Sequence, residues 1–302
     1  MKIKNILMCT MAAVMLLTGC DDVKNSNSSN NGNSSNNGSN SADDGTGVIS
    51  AAPSEIAGFA GNVGEVTPKS GDLVAEIEIE GFGTVKAVLF PEAAPLGVEN
   101  FQKLADSGYF EGLNIHRVIA NFMLQGGSLN GDGTGGDALV NGGSFGIETT
   151  QNARHFYGAL CYANAQGSNS TQFYIVNDKT PQNLDEIDRQ AYLDIIEEGK
   201  YYVRESMKAN LDLYVDYYRY QAQYYQNTLD WFDGASDEIR AAYLERGGTP
   251  FLDGNYTVFG QVYEGFDVID AVSAVEVTYN SSNELSKPVQ EIIIKSVTVK
   301  TV

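Results

Sequence analysis

The sequence predicts a mainly β fold, a closed barrel whose ends are plugged by two helices, with an α-helical subdomain inserted into it. Three observations carry this expectation. Short runs of alternating apolar and polar residues recur from Leu73 to the end of the chain, and two amphipathic helical stretches interrupt them. Between Asp178 and Gly248 the composition turns helical and rich in tyrosine. Pattern alone leaves a sandwich open beside the barrel.

The first element lies ahead of the folded part. Lys2 and Lys4 precede an apolar run from Ile6 to Leu17, too short to span a bilayer comfortably, that stops at Leu17-Thr18-Gly19-Cys20. This resembles a bacterial lipoprotein signal over residues 1–19, with Cys20 as the lipidated residue. Several acyl chains on one residue anchor stably where a single chain would not. From Asp21 to about Gly47 the chain is Ser, Asn and Gly with almost nothing to bury, so residues 20–71 read as a flexible tether. About 50 such residues span on the order of 40 Å as a coil.

Whether each later element is strand or helix follows from its period. Val74 to Ile79 alternates, Gly81-Phe82-Gly83 turns and Val85 to Phe90 alternates again, which predicts an antiparallel hairpin. Pro95 opens a helix with Val98, Phe101, Leu104 and Ala105 on one face, closed by Gly108. Runs at Phe173 to Val176, Val258 to Val262 and Ile292 to Val299 suit strands, and Phe266 to Val272 suits a second helix. Within residues 178–248, Met207, Leu211, Tyr214, Tyr218, Ala222, Tyr225 and Leu229 recur at steps of three and four, one face of a long helix. Ser236 caps a further helix that ends at Gly247-Gly248.

Composition removes several classes of function. The chain carries 19 basic against 39 acidic side chains, a formal net charge of −20, and loss of Lys2 and Lys4 with the signal deepens it, which excludes nucleic acid as a partner. Cys9 leaves with the signal and Cys20 takes lipid, so Cys161 stands alone in an apolar run as a buried, inert thiol and no disulfide forms. With His116 and His155 the only histidines and no ligand cluster at metal spacing, neither metal nor cofactor is expected. Gly131-Asp132-Gly133-Thr134-Gly135-Gly136 contains G-x-G-x-x-G, but no buried strand leads into it and no helix follows, so it is not a dinucleotide loop.

The chemistry concentrates in Ile115-His116-Arg117-Val118-Ile119-Ala120-Asn121-Phe122-Met123-Leu124-Gln125-Gly126-Gly127, which sets one permanent cation and one amide beside large apolar side chains. Such a set suits a proline ring held while its peptide bond is polarised. The stretch resembles the signature of the cyclophilins, the cyclosporin-binding peptidyl-prolyl isomerases, and the resemblance recurs in order along most of residues 72–302. It returns at Tyr162-Ala163-Asn164, at Thr171-Gln172-Phe173-Tyr174-Ile175, and at Phe251-Leu252-Asp253-Gly254-Asn255-Tyr256-Thr257-Val258-Phe259-Gly260.

The resemblance implies an eight-stranded antiparallel barrel and peptidyl-prolyl cis-trans isomerase activity on proline-containing polypeptides, without a cofactor. It implies that Arg117 is the catalytic arginine, that Phe122 and Met123 line the proline pocket, and that Gln125 positions the substrate carbonyl and the arginine. Ala163 and Asn164 would offer backbone groups to an extended substrate, with Gln172 and Tyr174 in the cleft and Leu252 closing the pocket. Three positions depart from the family's pattern: Tyr174 replaces Phe, Phe251 replaces Trp and Tyr256 replaces His. The Tyr174 hydroxyl needs a partner if buried, and loss of the indole donor at Phe251 implies weak cyclosporin binding.

Cyclophilins normally cross the interval occupied here by residues 178–248 in a much shorter loop. The block enters just after Tyr174 and leaves just before Phe251, so it is expected to emerge at the rim of the cleft and to extend or partly cover it. The sequence thus reads as an isomerase assisting exported proteins outside the cytoplasm, lipid-anchored to the bacterial cell membrane. The alternative is a non-catalytic chaperone or peptide-binding module that uses the same groove and the tyrosine-rich block.

Overall fold

A computed structural model describes residues 45–302. The expected signal, Cys20 and the Ser/Asn-rich tract up to residue 44 lie outside the described residues. β1 (Leu73–Ile79) and β2 (Gly83–Leu89) form the expected hairpin, in register from Val74 opposite Val88 to Ile79 opposite Gly83. Gly81 turns the chain at φ 77°, where a Cβ would be strained. α1 (Pro95–Asp106) begins on its proline and buries Val98, Phe101, Leu104 and Ala105. The remaining strands are β3 (Ile115–Ile119), β4 (Met123–Gly126), β5 (Phe145–Gly146), β6 (Ala159–Ala165), β7 (Ser168–Val176), β8 (Val258–Glu264), β9 (Val277–Tyr279), β10 (Leu285–Pro288) and β11 (Ile294–Thr301). α5 (Phe266–Ser273) follows β8.

The main sheet runs β11-β1-β2-β8-β6-β7-β4-β3, with β5 added on β7, and its pairings are antiparallel. Its two edge strands do not form a ladder with each other among the described residues. They meet at one isolated bridge, Asn114 with Ile293, flanked by the Ile115 N–H donating to the Ile292 carbonyl at 2.8 Å and the Ile294 N–H to the Leu113 carbonyl at 2.8 Å. Beyond that bridge β3 lies against β10, part of a separate two-stranded sheet with β9 that the sequence reading did not single out. The expected closed barrel is therefore a curled antiparallel sheet stitched at one point.

Alternation along the strands divides the core in two. On β7, Phe173 and Ile175 point into the curl with Leu124, Leu160, Tyr162 and Phe259, where α1 plugs one end through Phe101. Tyr174 and Val176 point the other way, with Met123, Cys161, Leu252 and Tyr256. That outer face would be wet on an isolated sheet. It is buried here by the insertion, at about 1.5–3 kcal/mol for each large side chain removed from water.

The insertion contains α2 (Arg189–Lys208), α3 (Asp212–Asp233) and α4 (Asp237–Arg246). Of the stripe expected on one long helix, Tyr214, Tyr218, Ala222, Tyr225 and Leu229 lie on α3, whereas Met207 lies in the last turn of α2 and Leu211 caps α3, because the chain turns at Asn210, which adopts φ 54°. The predicted stripe holds only in its second half. Ala222, Tyr225 and Leu229 are buried, whereas Met207, Leu211 and Tyr214 are about half exposed at the tip of the hairpin. α4 begins and ends as expected, with the Ser236 hydroxyl accepting the Ile239 N–H and Gly247 at φ 72°.

Residues 45–71, expected as the end of a flexible tether, lie packed as a strap. Arg219 Nε of α3 donates to the Thr46 carbonyl at 2.8 Å, Gln223 Oε1 accepts the Ile49 N–H, and Asp230 accepts from Ser50 and Ala51. The strap then reaches the sheet, where the buried Asn62 side chain accepts the Arg154 N–H and donates to the Arg154 carbonyl and Gln261, each at 2.8 Å. Phe59 adds an edge contact to Phe90, with ring centres 5.5 Å apart, and Val63 and Val66 pack on the buried clusters, so scattered polar and apolar anchors that composition averages away hold the segment down.

Candidate active site

β3 and β4 place the arginine. Their register sets Ile115 opposite Gly126 and Arg117 opposite Gln125, so two residues of β3 face one of β4 between them. Such a bulge reverses the alternation. Ile115 stays inside the curl while Arg117 swings to the outer face with Met123 and Gln125. The connecting turn carries Asn121 at φ 56°, and the Asn177 side chain accepts the Phe122 N–H at 2.6 Å.

Arg117 is 4% exposed and its guanidinium is fully engaged along one edge. Nη1 donates to Gln125 Oε1 at 3.1 Å and lies 3.8 Å from the Met123 sulphur, with the guanidinium carbon 5.8 Å from the centre of the Phe122 ring. Gln125 Nε2 in turn donates to Gln172 Oε1 at 3.0 Å, and Gln172 Nε2 to the Gly133 carbonyl at 2.8 Å. The glycine-rich loop thus ends a relay of amides that starts at the arginine. Its glycines answer to packing: a Cβ on Gly136 would lie 2.3 Å from the Thr171 hydroxyl.

Met123, Tyr174, Leu252 and Tyr256 belong to the apolar cluster beside Arg117, the candidate proline hollow, and Phe251 stacks on Phe122 with ring centres 5.9 Å apart. The Tyr174 hydroxyl finds its partner in His155 Nε2 at 2.9 Å. His155 Nδ1 is 2.8 Å from Asp253, which also accepts from Arg154 and from Tyr243 of α4. Burial opposes ionisation of Asp253, but Arg154, His155 and Tyr243 together hold its pKa below the usual carboxylate range. The Tyr256 hydroxyl is buried with no hydrogen-bond partner among the described residues. Ala163 sits at a register shift between β6 and β7, which leaves its backbone outside the regular ladder, and the Asn164 side chain is spent on the Asn255 carbonyl and the Gly167 N–H. Burial raises the pKa of the Cys161 thiol well above its ordinary value, so it is inert.

Three features were not read from the sequence. Glu284, in the turn between β9 and β10, accepts from Arg117 Nε and Nη2, both at 2.7 Å. Burial works against that carboxylate, yet the hydrogen bonds and charge of Arg117 bring its pKa below the usual value. Nothing local marks Glu284, which is 167 residues from its partner. Second, the insertion, expected at the rim, packs more deeply than its position implied: α3 lies along the 251–256 loop, where the Tyr224 hydroxyl donates to the Phe251 carbonyl at 3.0 Å and Asn255 donates to Thr228 at 2.9 Å. The walls of the hollow are consequently buried under the chain's own helix, with Phe122 at 7% the most exposed of Phe122, Met123, Tyr174, Leu252 and Tyr256. Third, Trp231 packs on Arg154, whose guanidinium carbon lies 4.4 Å from the ring centre, and not on the arginine of the site.

Comparison with known proteins bears on the same residues. The family described as cyclophilin-type peptidyl-prolyl cis-trans isomerase/CLD matches residues 74–212 and 241–299, so its gap falls within the insertion. A protein of Staphylococcus haemolyticus (strain JCSC1435), named provisionally as a peptidyl-prolyl cis-trans isomerase, is 34% identical over 219 residues, 72% of this chain and 87% of its own length. One of Staphylococcus aureus (strain USA300), named in the same way, is 33% identical over 220 residues with the same coverage. The crystal structure of a cyclophilin-type isomerase from Cryptosporidium parvum aligns with 76% of this chain and 99% of its own, with a TM-score of 0.47 and 20% identity. The matched segments contain the bulged hairpin with Arg117, the strand with Gln172 and Tyr174, and the loop with Leu252, and on that match the chain belongs to the cyclophilin-type peptidyl-prolyl cis-trans isomerase family.

Proposed function

We propose that this chain accelerates cis-trans isomerisation of prolyl bonds in exported proteins, with Arg117 stabilising the twisted amide. Rotation about an X-Pro bond meets a barrier of about 18–20 kcal/mol because amide resonance is lost on the way. In the twisted state the proline nitrogen regains a lone pair that accepts a hydrogen bond, so a fixed donor binds that state better than either planar isomer. A guanidinium suits the task because it never loses its proton. What supports the reading is one observation: the Arg117 guanidinium, bonded to Gln125, stands beside Phe122 and Met123, which share one apolar cluster with Leu252.

The test is the cis-trans exchange rate of a short Ala-Pro peptide with and without the protein. Arg117→Ala is expected to lower kcat/KM by about 10²–10³, the usual worth of one preorganised donor. A variant as active as the parent would remove Arg117 from the mechanism. In the same assay cyclosporin is expected to inhibit weakly, because Phe251 offers no N–H. Cys20 would hold the enzyme at the membrane, where translocated chains emerge unfolded.

A second reading, a non-catalytic peptide-binding module or chaperone, draws on the burial of the hollow under α3. It predicts binding of unfolded chains with no change in exchange rate. The exchange measurement separates the two.

A further inference from the structure

Glu284 has no part in the roles the family resemblance carries to this chain, yet it makes the closest contacts to the arginine on which the proposed activity rests. Its carboxylate meets Nε and Nη2 side-on at 2.7 Å each, with the Arg117 side chain 5% and the Glu284 side chain 14% exposed. This is the bidentate geometry that fixes a guanidinium in its plane as well as attracting it. The carboxylate is itself held. Asn280 Oδ1 accepts the Glu284 N–H at 2.9 Å, the Asn280 N–H donates to the Glu284 carbonyl at 2.8 Å, and Asn280 Nδ2 lies 3.4 Å from Glu284 Oε2. The β9–β10 turn therefore acts as a bracket whose tip carries one aimed carboxylate.

We propose that Glu284 is a positioning residue for prolyl isomerisation, clamping Arg117 so that its free N–H bonds point into the hollow. This rests on the isomerase reading above. A guanidinium has five N–H bonds. Two go to Glu284 and one to Gln125, which leaves one on Nη2 and one on Nη1, the latter opposed only by the weak contact to the Met123 sulphur at 3.8 Å. A substrate amide replaces that weak contact without breaking a strong one. Without the carboxylate, Arg117 keeps a single hydrogen bond from Nη1 and turns about its long side chain, so each productive encounter must first find the orientation that Glu284 supplies in advance.

The prediction concerns kcat more than KM. In the full chain, Glu284→Ala is expected to lower kcat for the Ala-Pro peptide roughly tenfold or more while KM stays within about twofold, since alignment and not ground-state contact is lost. Glu284→Asp, too short to reach both nitrogens, should fall between parent and Ala. The Arg117 Nε–H resonance in nitrogen-edited spectra should be slow-exchanging and shifted downfield in the parent, and lost in Glu284→Ala. Glu284→Gln keeps the shape of the turn, and Trp231 fluorescence reports whether each variant is folded.

If Glu284→Gln and Glu284→Ala both keep the parental kcat although the Nε–H signal has gone, the clamp is irrelevant to the reaction. If kcat rises, the carboxylate blocks Arg117 and the proposal is overturned in sign. Both results leave the isomerase reading intact so long as the parent is active and Arg117→Ala is not. An inactive, folded parent overturns both.

Discussion

At the scale of single residues, His116 shows how little proton chemistry this site requires. Burial, and after it the neighbouring Arg117 guanidinium, push its pKa down to about 4, so the ring is neutral where the fold is used. Isomerisation transfers no proton, and the rate is accordingly expected to stay flat from about pH 5 to 8. Stability should not. The unfolded ring takes its proton near pH 6.5 and the folded one near 4, so the unfolded state binds more protons between those values. Stability therefore falls as pH drops through that window, by on the order of 3 kcal/mol in all, and denaturant midpoints measured across it should move accordingly. A His116 carbon resonance that titrates near 6.5 would contradict this. The meeting of Arg117 with Phe122 and Gln125 was readable because they lie in one contiguous stretch, which local pattern preserves. Glu284 was not, because a lone acidic residue in a polar turn carries no mark of the cation it will meet.

At the scale of elements, alternation named the strands correctly, but one bulge decided what they present. Strict period two from Ile115 would have left Arg117 inside the apolar curl, and only the extra residue of β3 against β4 brings it beside Gln125. The helical stripe held from Tyr214 to Leu229 and overran only at its start, where Met207 keeps the step although the chain turns at Asn210 before α3 begins. Packed this way, α3 roofs the 251–256 loop through Tyr224. Tyr224→Ala removes the hydroxyl contact and most of a buried ring. It is expected to cost about 3–5 kcal/mol of stability and to lower KM for a short proline peptide severalfold, because the hollow opens. An unchanged KM in a folded variant would mean that substrate reaches Arg117 by a path that α3 does not obstruct.

Across the whole molecule, three bodies share one surface: the curled sheet, the inserted helices on its outer face, and the strap of residues 45–71 over both. The curl was implied by the resemblance, while its stitching at Asn114 and Ile293 depends on where a second small sheet lies, which no local period records. The position of the insertion beside the site followed from where it enters and leaves the sequence, and its depth of packing did not. The proposed membrane attachment through Cys20 belongs to this scale as well. Cys20→Ser is expected to move the protein from the membrane fraction to the soluble fraction of fractionated cells without altering its peptide exchange rate. Continued membrane association would rule out Cys20 as the anchor.

The strap has a mechanical consequence. Chain arriving from the N-terminal side meets α3 at Arg219 and runs along it to Asp230 before it reaches the loop ahead of β6 at Ser54 and the sheet at Phe59 and Asn62. Tension applied upstream of Gly45 is thus delivered first to the helix above the hollow, with the sheet loaded only after those side-chain contacts have peeled away.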